Sequence, residues 1–348
     1  MNTINVIFNR AVKNHQEGKT DIAQELYNQV LKINPDYADA HNNLGVLFGK
    51  LRENQKAKEC YKKAIKINPN HVNAHYNLGN ILNLFADHQN AKECYEKAIA
   101  INPNYADAHN NLGVIFKKEE KIQKAKECYE KVIAINPNYA DAHNNLGMIF
   151  KAEGENQKAK ECYEKAIAIN PNHVDAHNNL GVIFNERGEY TKAKSYYDKV
   201  IAINPSYANA HNNLGNIFKK LGESQKAKDC YEKAIEIYPD FFSALSNLSD
   251  IYINQLTDFE IAISKSNEAL KIYHKKHKFV NQSIPLFKLK HDIQQAKYIS
   301  KSGNFFNFFK SKNYKVNGID KFIKIGDEIL RREENKEDIN NSNKKILL

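Results

Sequence analysis

An all-α fold, an α-solenoid of about eight 34-residue helix pairs followed by a short C-terminal helical tail, is predicted by three features of the sequence. The stretch NPNYADAHNNLG at 102–113 recurs letter for letter at 136–147, with close variants at 34–45, 68–79, 170–181 and 204–215, always at the same step. Seven of the eight prolines (Pro35, Pro69, Pro103, Pro137, Pro171, Pro205 and Pro239) keep that step too. Each unit also holds two apolar stripes of helical spacing separated by a polar break. A fixed period of this size marks a repeat array. Proline once per unit marks where a helix must stop. Two short amphipathic helices cannot bury their apolar faces alone, and stacking one pair on the next supplies the missing core.

Taken in order, the first unit, near 4–37, is degenerate, as end units of arrays often are. It lacks the Asn-Leu-Gly signature but keeps Ala11, the turn from His15 to Gly18, Ala23, Tyr27 and Pro35. Regular units follow near 38–71, 72–105, 106–139, 140–173, 174–207 and 208–241. In the unit at 106–139, Ala108, Leu112, Ile115 and Phe116 form the first stripe, and Ala125, Cys128, Tyr129, Ile133 and Ile135 the second. Gly113 with Ala125, Gly147 with Ala159, and Gly181 with Ala193 mark a close crossing of the two helices. Glycine inside a helix costs about 0.5–1 kcal/mol relative to alanine and so requires a steric reason. The eighth unit, near 242–276, keeps Leu245, Asn247 and Leu248 but has Ser249 in place of glycine, and its Ala262 and Ala269 fit only with one residue inserted in the turn.

The repeat region thus spans 4–276. Beyond it, 277–332 reads as C-terminal capping helices, with helical stripes at 285–300 and 319–332 joined by an aromatic loop. Residues 333–348 read as a disordered polar tail.

The net charge of +10 is uneven: residues 1–276 carry 36 basic and 33 acidic side chains, residues 277–348 carry 15 and 8. A basic excess confined to the tail, absent from any repeating face, argues against nucleic acid as the ligand. The Phe305, Phe306, Phe308 and Phe309 cluster in that tail reads as a small core or a partner contact. The N-terminus has no apolar run suited to a signal peptide, and no stretch reaches the roughly 18 apolar residues that span a membrane. The reading is a cytoplasmic protein.

The five cysteines, Cys60, Cys94, Cys128, Cys162 and Cys230, occupy one slot of the repeat. Stacked helix pairs hold equivalent positions about 10 Å or more apart, beyond disulfide reach, so these are reduced packing residues. The same spacing removes a metal role from the histidine column His41, His75, His109, His143, His177 and His211, which reads as half-buried packing. Glu93 with Lys97, Glu127 with Lys131, and Glu161 with Lys165 are expected as i,i+4 ion pairs on an outer face. No phosphate loop, dinucleotide fingerprint or nucleophile elbow is present. The chain is read as non-enzymatic and without cofactor or metal.

The order Asn111–Leu112–Gly113, then Phe116, Ala125, Tyr129 and Pro137, repeated in phase over 4–276, resembles the tetratricopeptide repeat. The histidine column departs from the residue types usual early in its first helix. The array also resembles the superhelix of O-GlcNAc transferases. The resemblance implies a right-handed superhelix, first helices lining a concave surface, and protein or peptide partners. It further implies an asparagine ladder that grips a peptide main chain, since an amide offers two donors and an acceptor whatever the peptide's sequence. Asparagine disfavours helix interiors, so a pair of them in most first helices requires a return. Asn43, Asn77, Asn111, Asn145, Asn179 and Asn213, with Asn110, Asn144 and Asn178 beside them, are the expected peptide-binding residues. A merely structural role, each amide bonding a neighbouring helix, is the alternative. Lys117, Lys151, Asp141 and Asp175 are expected to tune specificity toward an amphoteric peptide, in columns that also hold Asp39, Asp107, Lys118, Lys219 and Lys220. The rival function is a substrate-recruiting module of a glycosyltransferase, or of another enzyme, whose catalytic domain is absent from this chain.

Overall fold

The computed structural model describes residues 3–252, together with 264, 265 and 268. Among them are fifteen α-helices and no strand. The capping helices expected over 277–332, the four-phenylalanine cluster, the polar tail from 333 and most of the second half of the eighth unit lie outside the described residues.

The chain divides into two compact units, 1–173 and 174–348. The first holds five helix pairs: α1 (Thr3–Gln16) with α2 (Thr20–Ile33), α3 (Ala38–Lys50) with α4 (Asn54–Ile67), α5 (Val72–Leu84) with α6 (His88–Ile101), α7 (Ala106–Lys118) with α8 (Ile122–Ile135), and α9 (Ala140–Ala152) with α10 (Asn156–Ile169). The second holds α11 (Val174–Glu186) with α12 (Tyr190–Ile203), α13 (Ala208–Lys220) with α14 (Ser224–Ile237), and α15 (Phe242–Ile251).

Each pair is organised around one tyrosine. Tyr27, Tyr61, Tyr95, Tyr129, Tyr163, Tyr197 and Tyr231 are buried in the second helices. In the six regular pairs the ring lies on a glycine of the first helix: a Cβ placed on Gly113 would stand 2.7 Å from Cε1 of Tyr129, and one on Gly181 2.5 Å from Cε1 of Tyr197. The close crossing expected at Gly113 is present, and the side chain of the second helix that fills it is the tyrosine ring. Val132 is buried where the sequence stripe placed Ile133, which is only half-buried.

Both turn types follow from local chemistry. Second helices end at asparagine, except α14, which ends at Tyr238: the Asn102 N–H bonds back to the Ala98 carbonyl at 2.8 Å, and its Oδ1 accepts from the Asn104 N–H at 3.1 Å. Proline then bars continuation. Its free carbonyl is taken up by the histidine column, His109 Nε2 donating to the Pro103 carbonyl at 3.0 Å, with the same bond at His41, His75, His143 and His211. These histidines are half-buried or buried, and they latch each loop to the next first helix. The turn within a pair needs one left-handed residue. Glycine supplies it at Gly18, Gly154, Gly188 and Gly222, whereas Arg52, Ala86 and Glu120 adopt φ of 61°, 60° and 59° there.

The cysteine slot is half-buried to buried with free thiols, and burial pushes Cys60, Cys94, Cys128 and Cys230 up to about 11. The expected i,i+4 ion pairs are not formed. Glu93, Glu127 and Glu161 accept hydrogen bonds from Gln89, Gln123 and Gln157, one turn before them, at 3.0, 3.2 and 3.0 Å. The shorter amide on the preceding turn satisfies the carboxylate and leaves the lysines solvated.

Candidate functional site

The first helices of the regular units carry polar side chains at two or three equivalent places along their length, and each place forms a column in the repeat. Near the start of the helix stands Asp39, Asn73, Asp107, Asp141, Asp175 or Asn209; in its middle, the asparagines; near its end, Lys117, Lys151 and Lys219. The first column lies roughly 15 Å along the helix from the last, at a rise of about 1.5 Å per residue.

The asparagines form a hydrogen-bonded ladder. The inner members, Asn42, Asn110, Asn144, Asn178 and Asn212, are buried. The outer members, Asn43, Asn77, Asn111, Asn145, Asn179 and Asn213, are half-buried. Asn77 Nδ2 donates to Asn42 Oδ1 of the preceding repeat at 3.1 Å, and Asn42 Nδ2 donates to Asn43 Oδ1 at 3.1 Å. The register repeats at Asn145 to Asn110, Asn213 to Asn178 and Asn247 to Asn212. Where Tyr76 interrupts the inner column, Asn111 donates to Tyr76 Oη at 3.4 Å and to Asn80 Oδ1 at 2.9 Å. In that register each bond between repeats runs from an outer amide to a buried inner one, so the structural role falls on both columns. Only the outer column keeps the partial exposure that contact with a ligand requires.

The acidic column is also committed. Tyr139 Oη donates to Asp107 Oδ1, and Tyr207 Oη to Asp175 Oδ1, both at 2.7 Å. His71 Nε2 meets Asp39 Oδ1 at 3.1 Å and His173 Nε2 meets Asp141 Oδ1 at 3.0 Å. Each bond links one repeat to the next. Burial, and then the carboxylate each one meets, push the Tyr139 and Tyr207 hydroxyls upward. The hydrogen bond from His173 lowers the Asp141 carboxyl. Sequence reading missed this clamp, although the signal was there. An aspartate at the second position of a first helix is matched, just before the next first helix begins, by a tyrosine or histidine. Where that later residue is Phe241, which has no donor, the column holds Asn209 instead of an acid.

The basic column is less uniform. Lys117 is half-buried, with Nζ 3.4 Å from Met148 Sδ, and burial lowers its ammonium pKa. Lys219 is paired with the Asp250 carboxylate of α15. Lys151 is half-buried and Lys118 exposed. No group of three or more histidine, cysteine, aspartate or glutamate side chains among the described residues could hold a metal ion. Among them, too, no helix is long and apolar enough to cross a membrane.

Comparison with known families gives matches along the array. A tetratricopeptide repeat model matches 38–71, 106–139, 140–173 and 208–241. A second, described as a TPR repeat, matches 14–51, 87–119 and 183–222, and a third, again a tetratricopeptide repeat, matches 60–93 and 162–195. Together they run without a gap from 14 to 241. The matches are to the repeat as such and do not single out the arrays of O-GlcNAc transferases. No curated protein matches. Among solved structures, PilF of Pseudomonas aeruginosa is 21% identical, with a TM-score of 0.55 over 61% of this chain and 97% of that one. The Cut9–Hcn1 hetero-tetramer of the APC/C gives 16% identity and a TM-score of 0.59 over 73% of this chain and 50% of that one. Identities this low speak to fold alone.

Proposed function

The chain belongs to the tetratricopeptide-repeat family, and on that premise we propose that it is a non-catalytic protein-interaction scaffold whose first-helix face binds an extended peptide. The observation that carries the reading is the outer asparagine column. The ladder uses one N–H each of Asn77, Asn145 and Asn213 and fixes the side chain's rotamer. A second N–H and a carbonyl lone pair remain on an amide so held. Donors and acceptors pre-oriented at a repeating step bind an extended main chain without the entropy cost of ordering them. The inner column supplies the support that a binding side chain needs.

The test is selection of peptides from a random linear library on the full chain, followed by titration against Asn145→Ala and Asn213→Ala. Each substitution removes one amide and is expected to weaken every selected peptide about fivefold to tenfold, the value of one hydrogen bond. Thermal melts of the variants show whether the fold is kept. Peptides that bind folded Asn145→Ala and Asn213→Ala as well as the wild type would remove the outer column from the binding face.

A further inference from the structure

Two lysines at equivalent places in the repeat meet opposite fates. Lys219, in the last turn of α13, reaches across to α15, where position 250 is an aspartate and neutralises it. Lys117, in the last turn of α7, reaches the same place on α9 and meets Met148. A second donor converges on that thioether: Nδ2 of the buried Asn144 lies 3.9 Å from Met148 Sδ. A thioether sulfur is a weak acceptor and carries no charge. An ammonium has three N–H groups to satisfy, and a half-buried one is poorly compensated by sulfur. Burial alone depresses the Lys117 ammonium, with no carboxylate to offset it. The acids at the other end of the first helices do not compensate either, since Asp107 and Asp141 are bonded to Tyr139 and His173.

We propose that Lys117 and Met148 form a subsite for an acidic side chain of the bound peptide, whose carboxylate takes the place that Asp250 fills at Lys219. The inference rests on the peptide-binding reading and sharpens it: Lys117, which meets a thioether where Lys219 meets a carboxylate, selects an acidic side chain in the ligand. Met148 and the half-buried Val114 offer apolar surface to the methylenes of a glutamate, and methionine adapts readily to such a contact.

The test uses the full chain and the peptides selected from the random linear library. They are expected to share an aspartate or glutamate at one fixed position. Lys117→Met should weaken them about tenfold or more, as for a charge-assisted hydrogen bond. Replacing that acid by its amide in the peptide should cost the same, and the two losses should not add. Met148→Asp should reproduce the Lys219–Asp250 pair, raise the melting temperature and weaken acidic peptides by a similar factor. Selected peptides without an acidic position, or acidic peptides indifferent to Lys117→Met, would overturn the subsite and leave the asparagine face standing. A library that yields no peptide at all would overturn both.

Discussion

The Tyr95 hydroxyl donates to Asn80 Oδ1 at 2.8 Å, closing the one polar valence that the buried tyrosine column leaves open. Asn216 does the same for Tyr231, also at 2.8 Å. One repeat after Tyr95 the equivalent of Asn80 is Val114, and the buried hydroxyl of Tyr129 has no hydrogen-bond partner among the described residues; Tyr197, opposite Val182, is in the same position. Tyr95→Phe should therefore destabilise by about 1 kcal/mol, whereas Tyr129→Phe should be neutral or stabilising, because it deletes an unsatisfied group. Val114→Asn should raise the melting temperature in the wild type and lose that gain in the Tyr129→Phe background. Chemical denaturation of the four variants checks this.

Ala86 and Gly154 occupy the same turn position in the left-handed region. Left-handed backbone costs an L-residue about 1–2 kcal/mol, partly offset by the entropy that glycine loses on folding. Ala86→Gly should stabilise by roughly 0.5–1 kcal/mol, and Gly154→Ala should destabilise by a similar amount. The other glycine class behaves differently. Gly147→Ala puts a Cβ 2.7 Å from the Tyr163 ring and should cost about 1–3 kcal/mol through overpacking. Thermal and chemical melts of the three variants measure these differences.

The His173–Asp141 bond predicts an acid limit. The Asp141 carboxyl is depressed in the folded state, chiefly by its hydrogen bond from His173. Its contribution is fully present above the ordinary aspartate value of about 4 and is lost as pH falls through the lower folded value. Asp141→Ala should lower stability by about 1 kcal/mol at neutral pH, since it strands the buried His173 donor, and the difference from wild type should shrink in acid. Melts between neutral pH and the acid transition measure it.

The cysteine slot predicts an alkaline limit. Four thiols are pushed up to about 11 by burial. The unfolded chain releases their protons first, at the ordinary thiol value of about 8.5. Between those values the unfolded state binds fewer protons, so stability falls as pH rises. Replacing Cys60, Cys94, Cys128 and Cys230 together by alanine should flatten that fall. Alkylation of the native thiols should be slow for the same reason, because the thiolate is the reacting form.

Helix pairs, turns and tyrosine core were legible because period, proline and apolar stripe each act through local geometry that sequence spacing encodes directly. The close crossing at Gly113 was legible, but not that the Tyr129 ring fills it, because a stripe cannot show which side chain does so. The asparagines were noticed for the helix stability they cost, yet burial divides the pair in a way the letters do not. Asn42 and Asn43 are the same residue type one position apart, and a rotation of about 100° per residue puts one inside and one at the surface. The Asp141–His173 and Asp107–Tyr139 clamps were present as a correlation between one repeat and the next, invisible to any reading confined to a single unit.

The central claim is that outer asparagines hold a peptide main chain. It is tested most directly by titrating one selected peptide, and its singly N-methylated derivatives, against wild type and Asn145→Ala. The account predicts one backbone amide whose methylation weakens wild-type binding about fivefold to tenfold and has no further effect on Asn145→Ala. Methylation losses that are equal in the two proteins at every position would contradict it.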